Sequence, residues 1–377
     1  MRAGQPKIVT RGDEVTWECR VTFADGREQT LHYTVADSYR GLLSPRPDAA
    51  AVALLIPAMR RNENLFVDGT LSERLTFSLN TYQHLLRLLD PSLNEIRIEP
   101  EDVDRSALEG NGIATGFSGG VDSFAVLARH HYGDPPAGFR LTHLLFNNVG
   151  SHGTGGERLF RERYHRLAPT AERLGLPFIA VNSNLDSFYS DKFITSHTPR
   201  NVSVALALQG GVHRFLYASA YAYSQITLTE RNSIAHADPI GLPLLSTSAL
   251  HAVSSGGEYT RVGKTMLVAR IPESYRCLDV CTDATANGNC SRCNKCLRTL
   301  LTLEIGNYLE RYEGVFNFDV YQRSREDFIT RVLTSQQPLM REIREAARDM
   351  SFTFPIRTRL RARAVLARAG LRAWAPN

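Results

Sequence analysis

The sequence predicts an α/β protein: a parallel, doubly wound sheet preceded by an α+β accessory domain and followed by a helical segment with a cysteine cluster. Three observations carry this. From residue 111 onward, apolar runs of strand length alternate with stretches of helical periodicity. Those runs are continuous rather than alternating, as strands covered on both faces are. Residues 1–110 read differently, with two alternating runs around an Asp-Gly turn, and five of the six cysteines fall between 277 and 296.

Taken in order, "EVTWECRVTFADG" and "REQTLHYTVAD" predict a β-hairpin turning at Asp25-Gly26. "DAAAVALLIPAMRR" predicts a helix interrupted near Pro57, where an N–H is lost. "LSERLTFSLNTYQHLLRLLD" is a helix with Leu75, Leu79, Leu85, Leu86 and Leu89 near one face, and "EIRIEPEDV" is a short strand. Nothing in this first part forms a chemical constellation. Beyond it, "GIATGF" leads into a helix at about 121–132, and "LTHLLFNNV" into one at about 156–174. "PFIAVNSN" leads into a helix at about 200–211, followed by "RFLYASA" and, after an irregular turn, "QITLTE". The expected organisation is an accessory domain over 1–110, a catalytic α/β domain over 111–305 that includes the cysteine segment 277–300, and a helical extension over 306–377.

The chain has 377 residues, 43% hydrophobic and 22% charged, which is ordinary globular composition. No run approaches the roughly 18 apolar residues of a membrane span, and the first 25 residues are charged throughout, so a cytoplasmic protein without membrane association is expected. The net charge is +5, but six arginines (357, 359, 361, 363, 368, 372) lie in a tail without acids, and the rest holds 38 basic against 39 acidic residues. The tail reads as a solvated terminal helix; a phosphate backbone or anionic surface is the alternative partner.

Residues 115–123 read "TGFSGGVDS". An apolar strand ending at Phe117 and a helical pattern from Val121 put the glycines on a strand-to-helix turn, where unpaired N–H groups and the helix dipole favour an anion. Glycines let the backbone approach it, and the hydroxyls of Ser118 and Ser123 add donors. The aspartate at 122 needs another reason, since it repels phosphate. No Gly-Lys-Ser/Thr follows, so this is not a Walker loop. "NNVGSHGTGG" (147–156) and "NSNLDS" (182–187) end two further strands and should line the same mouth, which puts Asn147 with the binding residues.

"CTDATANGNCSRCNKC" supplies Cys281, Cys290, Cys293 and Cys296, with two Cys-x-x-Cys steps sharing a middle cysteine. This spacing gathers thiolates for a closed, structural zinc site, with an iron–sulfur cluster as the alternative. Cys277 could replace Cys281 as fourth ligand. Cys19, alone in a strand, reads as a small buried hydrophobe.

The hexapeptide Ser118-Gly119-Gly120-Val121-Asp122-Ser123 resembles the pyrophosphate loop of the N-type ATP pyrophosphatases, whose fold is that of the adenine nucleotide alpha hydrolases. Together with the cysteine spacing it resembles the 7-cyano-7-deazaguanine synthase family over roughly 111–305. Pro199-Arg200-Asn201 is similar to that family's Pro-x-Arg-Asn segment, one residue short. "SSGGEYTRVGKT" (254–265) matches loosely a stretch where the family has a lysine, and residues 1–110 and the chain after 305 have no counterpart in its short members.

The resemblance implies ATP cleavage between the α- and β-phosphates, adenylation of a small carboxylate, and amide or nitrile formation with ammonia or another amine. Ser118, Gly119, Gly120, Val121 and Ser123 would cradle the phosphates. Asp122 would place the loop or its Mg²⁺, and Arg200, Lys264 and Arg261 are the cationic candidates. A homodimer is compatible with this, and base modification of tRNA through an adenylated oxygen is the alternative function. His152 reads as a solvent-exposed loop residue or a substrate contact. Asp238-Pro239 reads as a turn or a ligand contact.

Overall fold

The computed structural model describes residues 1–106, 110–153, 156–281, 288–368 and 370. The chain forms two compact units, one of Met1–Ser118 with Arg129–Gly257 and one of Gly119–Ala128 with Glu258–Asn377.

The first unit is built on a large, mostly parallel sheet. Its strands are β1 (Arg2–Ala3), β2 (Lys7–Arg11), β3 (Glu14–Thr22), β4 (Glu28–Ala36), β5 (Leu65–Ser72), β6 (Ile98–Asp104), β7 (Gly112–Gly116), β8 (His143–Asn148), β9 (Phe178–Ser183), β10 (Val212–Ala218) and β11 (His251–Ser255). Their order is β11-β10-β7-β8-β9-β4-β3-β1-β5-β6, with β2 on β3. The α-helices among the described residues are α1 (Asp48–Arg61), α2 (Glu73–Leu89), α3 (Val121–His130), α4 (Glu157–Arg173), α5 (His197–Ala207), α6 (Asp238–Leu244), α7 (Arg261–Val268), α8 (Ser274–Cys277), α9 (Asn294–Ile305), α10 (Phe318–Thr334), α11 (Pro338–Asp349) and α12 (Ile356–Arg368).

From β7 to β11, strand and helix alternate and all neighbouring strands are parallel. The chain runs β7-β8-β9 in one direction across the sheet, then returns to place β10 and β11 on the far side of β7. The order therefore reverses between β7 and β10, which in open α/β sheets opens a ligand crevice at the carboxyl ends of the strands. Thr115 ties the two strands there, its Oγ1 donating to Leu216 O at 2.7 Å. Ser118 leaves the carboxyl end of β7 at this crevice.

The hairpin forms as the alternation predicts, in register from Glu14↔Ala36 to Thr22↔Glu28, with Gly26 at φ 82°. Its strands do not make a separate sheet: β4 pairs antiparallel with β9, Tyr33 opposite Ser183. Tyr33 Oη also hydrogen-bonds Ser203 Oγ of α5 at 2.7 Å inside the core.

Helix α1 is not interrupted at Pro57; it runs continuously and is buried from Asp48 to Met59. Pro57 lacks the N–H that would bond the carbonyl of Ala53. Tyr189 Oη donates to that carbonyl instead, at 2.8 Å. The expected segment "QITLTE" forms no strand; the last parallel strand is β11, whose sequence HAVSS carries little strand signal.

The second unit is helical. Helix α9 packs on α7, α10 and α11, and α10 packs on α11 and α12. Helix α12 buries Thr358, Ala362 and Leu366 and leaves Arg357, Arg359, Arg361, Arg363 and Arg368 exposed, a solvated terminal helix. Arg372 lies outside the described residues. No helix of the described residues is long and apolar enough to cross a membrane.

Candidate functional site

The Ser-Gly-Gly loop turns at Gly119, whose φ of 74° is accessible to glycine at no steric cost. Val121 begins α3, and Phe124 N–H donates to Gly120 O at 3.1 Å. Buried Ser123 turns its hydroxyl back onto Gly120 O at 2.9 Å, while Ser118 is exposed. Asp122 in the first turn of α3 has two cationic partners: its Oδ1 lies 2.9 Å from Arg261 Nη1 and 3.2 Å from Lys264 Nζ.

Those partners come from α7. Thr260 Oγ1 caps the helix by accepting from Gly263 N at 3.0 Å, and Glu342 Oε2 accepts from Arg261 N at 2.9 Å. This fixes Arg261 and Lys264, one turn apart, on the face toward Asp122. Lys264 is 1% exposed. Burial pushes its pKa down and the Asp122 carboxylate offsets part of that shift. The aspartate thus anchors two cations at the loop, which is the reason for a carboxylate in this position.

Two more cations sit on α9. Lys295 and Arg298 are one turn apart, and both feel the charges of Arg261 and Asp122. Arg298 Nε is buried without a hydrogen-bond partner among the described residues. In sequence Lys295, with Arg292, reads as offsetting thiolate charge and Arg298 carries no reading; the signal for the pair is the spacing Arg261-x-x-Lys264 repeated as Lys295-x-x-Arg298.

The cysteine centre closes the N-terminal side of α9. The Sγ atoms of Cys281, Cys290, Cys293 and Cys296 all lie within 4.8 Å of one another, with Cys290 and Cys296 at 4.0 Å. A tetrahedral zinc site with bonds of about 2.3 Å places its sulfurs about 3.8 Å apart, so the set suits a metal ion such as zinc. Ser291 takes a left-handed φ of 58°, which turns Cys293 N–H onto Cys290 Sγ at 3.3 Å. Cys290 N–H points to Cys281 Sγ at 3.4 Å. Such N–H···S contacts stabilise thiolates around a metal. Asn289 staples the segment: its Nδ2 donates to Leu278 O and Val315 O, and its Oδ1 accepts from Val280 N. Cys277 is not in the group of four.

In the first unit, Asn147 is the penultimate residue of β8. Its Nδ2 donates to Asn201 Oδ1 at 3.0 Å, and its Oδ1 is buried without a partner among the described residues. Arg200 is fully buried, and its guanidinium donates to Ser196 Oγ, Val149 O, Asp186 Oδ1 and Asp191 O. It also stacks over Tyr189 at 3.7 Å. Arg200 therefore clamps the loops after β8 and β9 rather than presenting an open fork. Gly150 makes room for it: at φ 110°, a Cβ there would lie 2.4 Å from Arg200 Nη1.

His152 is not solvent-exposed; it packs on Phe146 and Phe160, and burial followed by the Arg163 charge pushes its pKa down to about 4. Asp238 is buried in the first turn of α6. Thr198 Oγ1 donates to its Oδ1 at 2.7 Å, and its Oδ2 has no partner among the described residues. Tyr82 of α2 has an equally buried, partnerless hydroxyl, and its pKa is raised by burial and then by Asp238. Residues 1–110, which read as chemically silent, thus bring a polar group toward a candidate residue.

Burial raises the Asp238 pKa from 3.8 to about 7. The folded state therefore holds a proton that the unfolded chain has released between these values. The stabilisation from that neutral acid is complete below the unfolded value and is lost as pH rises through about 7. Melting curves between pH 5 and 8 should show Asp238→Asn losing less stability with rising pH than the wild type. Parallel profiles would refute a buried neutral acid.

Comparison with known proteins finds no family model, curated protein or solved structure that matches this chain.

Proposed function

We propose that this chain is an ATP pyrophosphatase, with the adenine nucleotide alpha hydrolase fold, that adenylates a small carboxylate in the manner of 7-cyano-7-deazaguanine synthases. The observation that supports it most is Asp122 clasped by Arg261 and Lys264 at the head of a Ser-Gly-Gly loop that leaves the carboxyl end of β7. An aspartate so neutralised no longer repels phosphate, and the cations it anchors favour it.

In this reading a substrate carboxylate oxygen bonds to the α-phosphorus of ATP while the bond to the β-phosphate bridging oxygen breaks. Pyrophosphate leaves with the electron pair. An amine then attacks the acyl carbon, AMP leaves with its oxygen, and the amine's proton passes to solvent. Backbone N–H groups of Gly119, Gly120 and Val121 and the Ser118 hydroxyl would bind the departing phosphates, with Lys264 and Arg261 neutralising their charge. Ser123 would steady the loop through Gly120. Arg200 would act as a positioning residue for the loop that follows β8 and Asn147, whose Oδ1 is an acceptor for an amino group. Magnesium bound to the nucleotide would supply further charge neutralisation. The cysteine centre, holding zinc, would be structural.

The test supplies ATP and Mg²⁺ with a panel of carboxylates that includes 7-carboxy-7-deazaguanine, with and without ammonia. AMP and pyrophosphate should appear in equal amounts and only with an acceptor acid. ADP and phosphate, or no acid dependence, would overturn the reading.

The exposed arginines of α12 favour the second reading, modification of a tRNA base. Replacing Arg357, Arg359, Arg361, Arg363 and Arg368 with Gln should leave AMP release and its KM within about twofold, because a small acid makes no use of phosphate contacts of this kind. Salt-sensitive tRNA binding that disappears in this variant, together with tRNA-dependent AMP release, would instead select the polynucleotide reading.

A further inference from the structure

Within the second unit the cysteine segment touches the loop directly on one side, and on the other it leads into α9, which packs on α7. Before the first cysteine, Asp279 N–H donates to Gly119 O at 2.8 Å, and Asp279 Oδ1 accepts from Cys281 N at 3.3 Å. After the third cysteine, α9 starts at Asn294 and carries Lys295 in its first turn and Arg298 in its second. Lys295 is exposed, whereas Arg298 is partly covered and its Nε is an unused donor. Helix α9, which carries both, packs on α7, whose Arg261 and Lys264 reach Asp122, and both residues lie within range of that carboxylate's charge. Four cations thus gather near Asp122 and Glu342, and Glu342 is committed to the backbone of α7 at Arg261 and Val262. Like charges so close repel one another, and a polyanion between them removes that cost.

We propose that Lys295 and Arg298 bind the pyrophosphate of ATP and that the cysteine centre, through Asp279 and α9, holds loop and cations in register for it. This rests on the phosphate-loop reading above and extends it by two ligands and a task for the metal site. The centre is then more than a staple: it sets the distance between the two halves of an anion clamp. Neither Lys295 nor Arg298 transfers a proton or forms a bond in the reaction. Their contribution is charge and hydrogen bonding to the leaving group.

The experiment titrates inorganic pyrophosphate with Mg²⁺ into the full-length, zinc-loaded protein by calorimetry, for wild type, Lys295→Met, Lys295→Arg and Arg298→Lys. Loss of one charged hydrogen bond should weaken binding at least about tenfold in Lys295→Met, with Lys295→Arg close to wild type. Arg298→Lys keeps the charge but loses the fork, so an intermediate loss is expected there. Zinc content and the melting temperature should stay at wild-type values in all three. Lys295 is exposed, so the Met variant folds and keeps the test decisive. Binding by Lys295→Met within twofold of wild type overturns the proposal, as does a loss that tracks loss of zinc. Wild type that binds pyrophosphate but releases no AMP with any acid sinks the proposed reaction and leaves this clamp standing. Wild type that binds no pyrophosphate sinks both.

Discussion

Asp122→Asn releases AMP far more slowly than the wild type with any acid, while its circular dichroism stays that of the wild type. The substitution keeps the shape of the side chain and removes the charge that Arg261 and Lys264 share. Lys264 is almost completely buried, and its ammonium is held there at a cost that burial imposes and Asp122 offsets. Without the carboxylate both cations lose their anchor beside the loop, and preorganised charge is the main source of catalysis in phosphoryl and nucleotidyl transfer. The expected fall in kcat is on the order of a hundredfold or more, by analogy with loss of one preorganised donor. Ser118→Ala, on the exposed side of the loop, should lower turnover less and leave the melting temperature unchanged. An Asp122→Asn protein with wild-type AMP release would remove the loop from the reaction.

Cys293→Ser loses its metal and melts several degrees lower. Cys293 is the cysteine shared by both Cys-x-x-Cys steps, and it directly precedes α9. In sites of this kind the free energy of metal binding is part of the free energy of folding. Metal analysis of the wild type should give about one zinc per chain, and the Ser variant should retain little of it. The Cys277→Ser protein is the control: Cys277 is not one of the four gathered sulfurs, so its zinc content should not change. Iron with sulfide in the wild type, or zinc lost equally from the Cys277 variant, would refute the assignment of the four ligands.

The loop and the cysteine spacing were legible in the sequence because each is local: the glycines, the serines and the Cys-x-x-Cys steps sit within a few residues of their partners. The same holds for the hairpin, whose alternation and Asp25-Gly26 turn are short-range signals. What was not legible came from contacts between distant segments. Pro57 reads as a helix breaker, and only Tyr189, far along the chain, satisfies the carbonyl it strands. Strand β11, His-Ala-Val-Ser-Ser, has a single strong strand former in Val253, and its strand character lies in its parallel pairing with β10. Arg200 looks like a ligand cation by its neighbours Pro199 and Asn201, but four protein acceptors meet it in three dimensions. Lys295 and Arg298 are ordinary surface cations until α7 and α9 are packed together. Tyr82 gains meaning in the same way, from Asp238 on a helix more than a hundred residues later.

The pairing of β4 with β9 sets a timetable for making this protein. The hairpin is complete once residue 36 has left the ribosome, but its partner strand ends at Ser183. At typical synthesis rates of 5–20 residues per second, the edge of β4 waits about seven to thirty seconds for β9. During that interval Tyr33, fully buried in the finished protein, lacks the Ser203 hydroxyl that its own hydroxyl meets there. The nascent chain therefore carries an open strand edge beside an apolar face, the combination most prone to wrong pairing. Expression at lower temperature or with added chaperones should raise the soluble yield, and the gain should come from the growing chain, with the melting temperature of the folded protein unaltered.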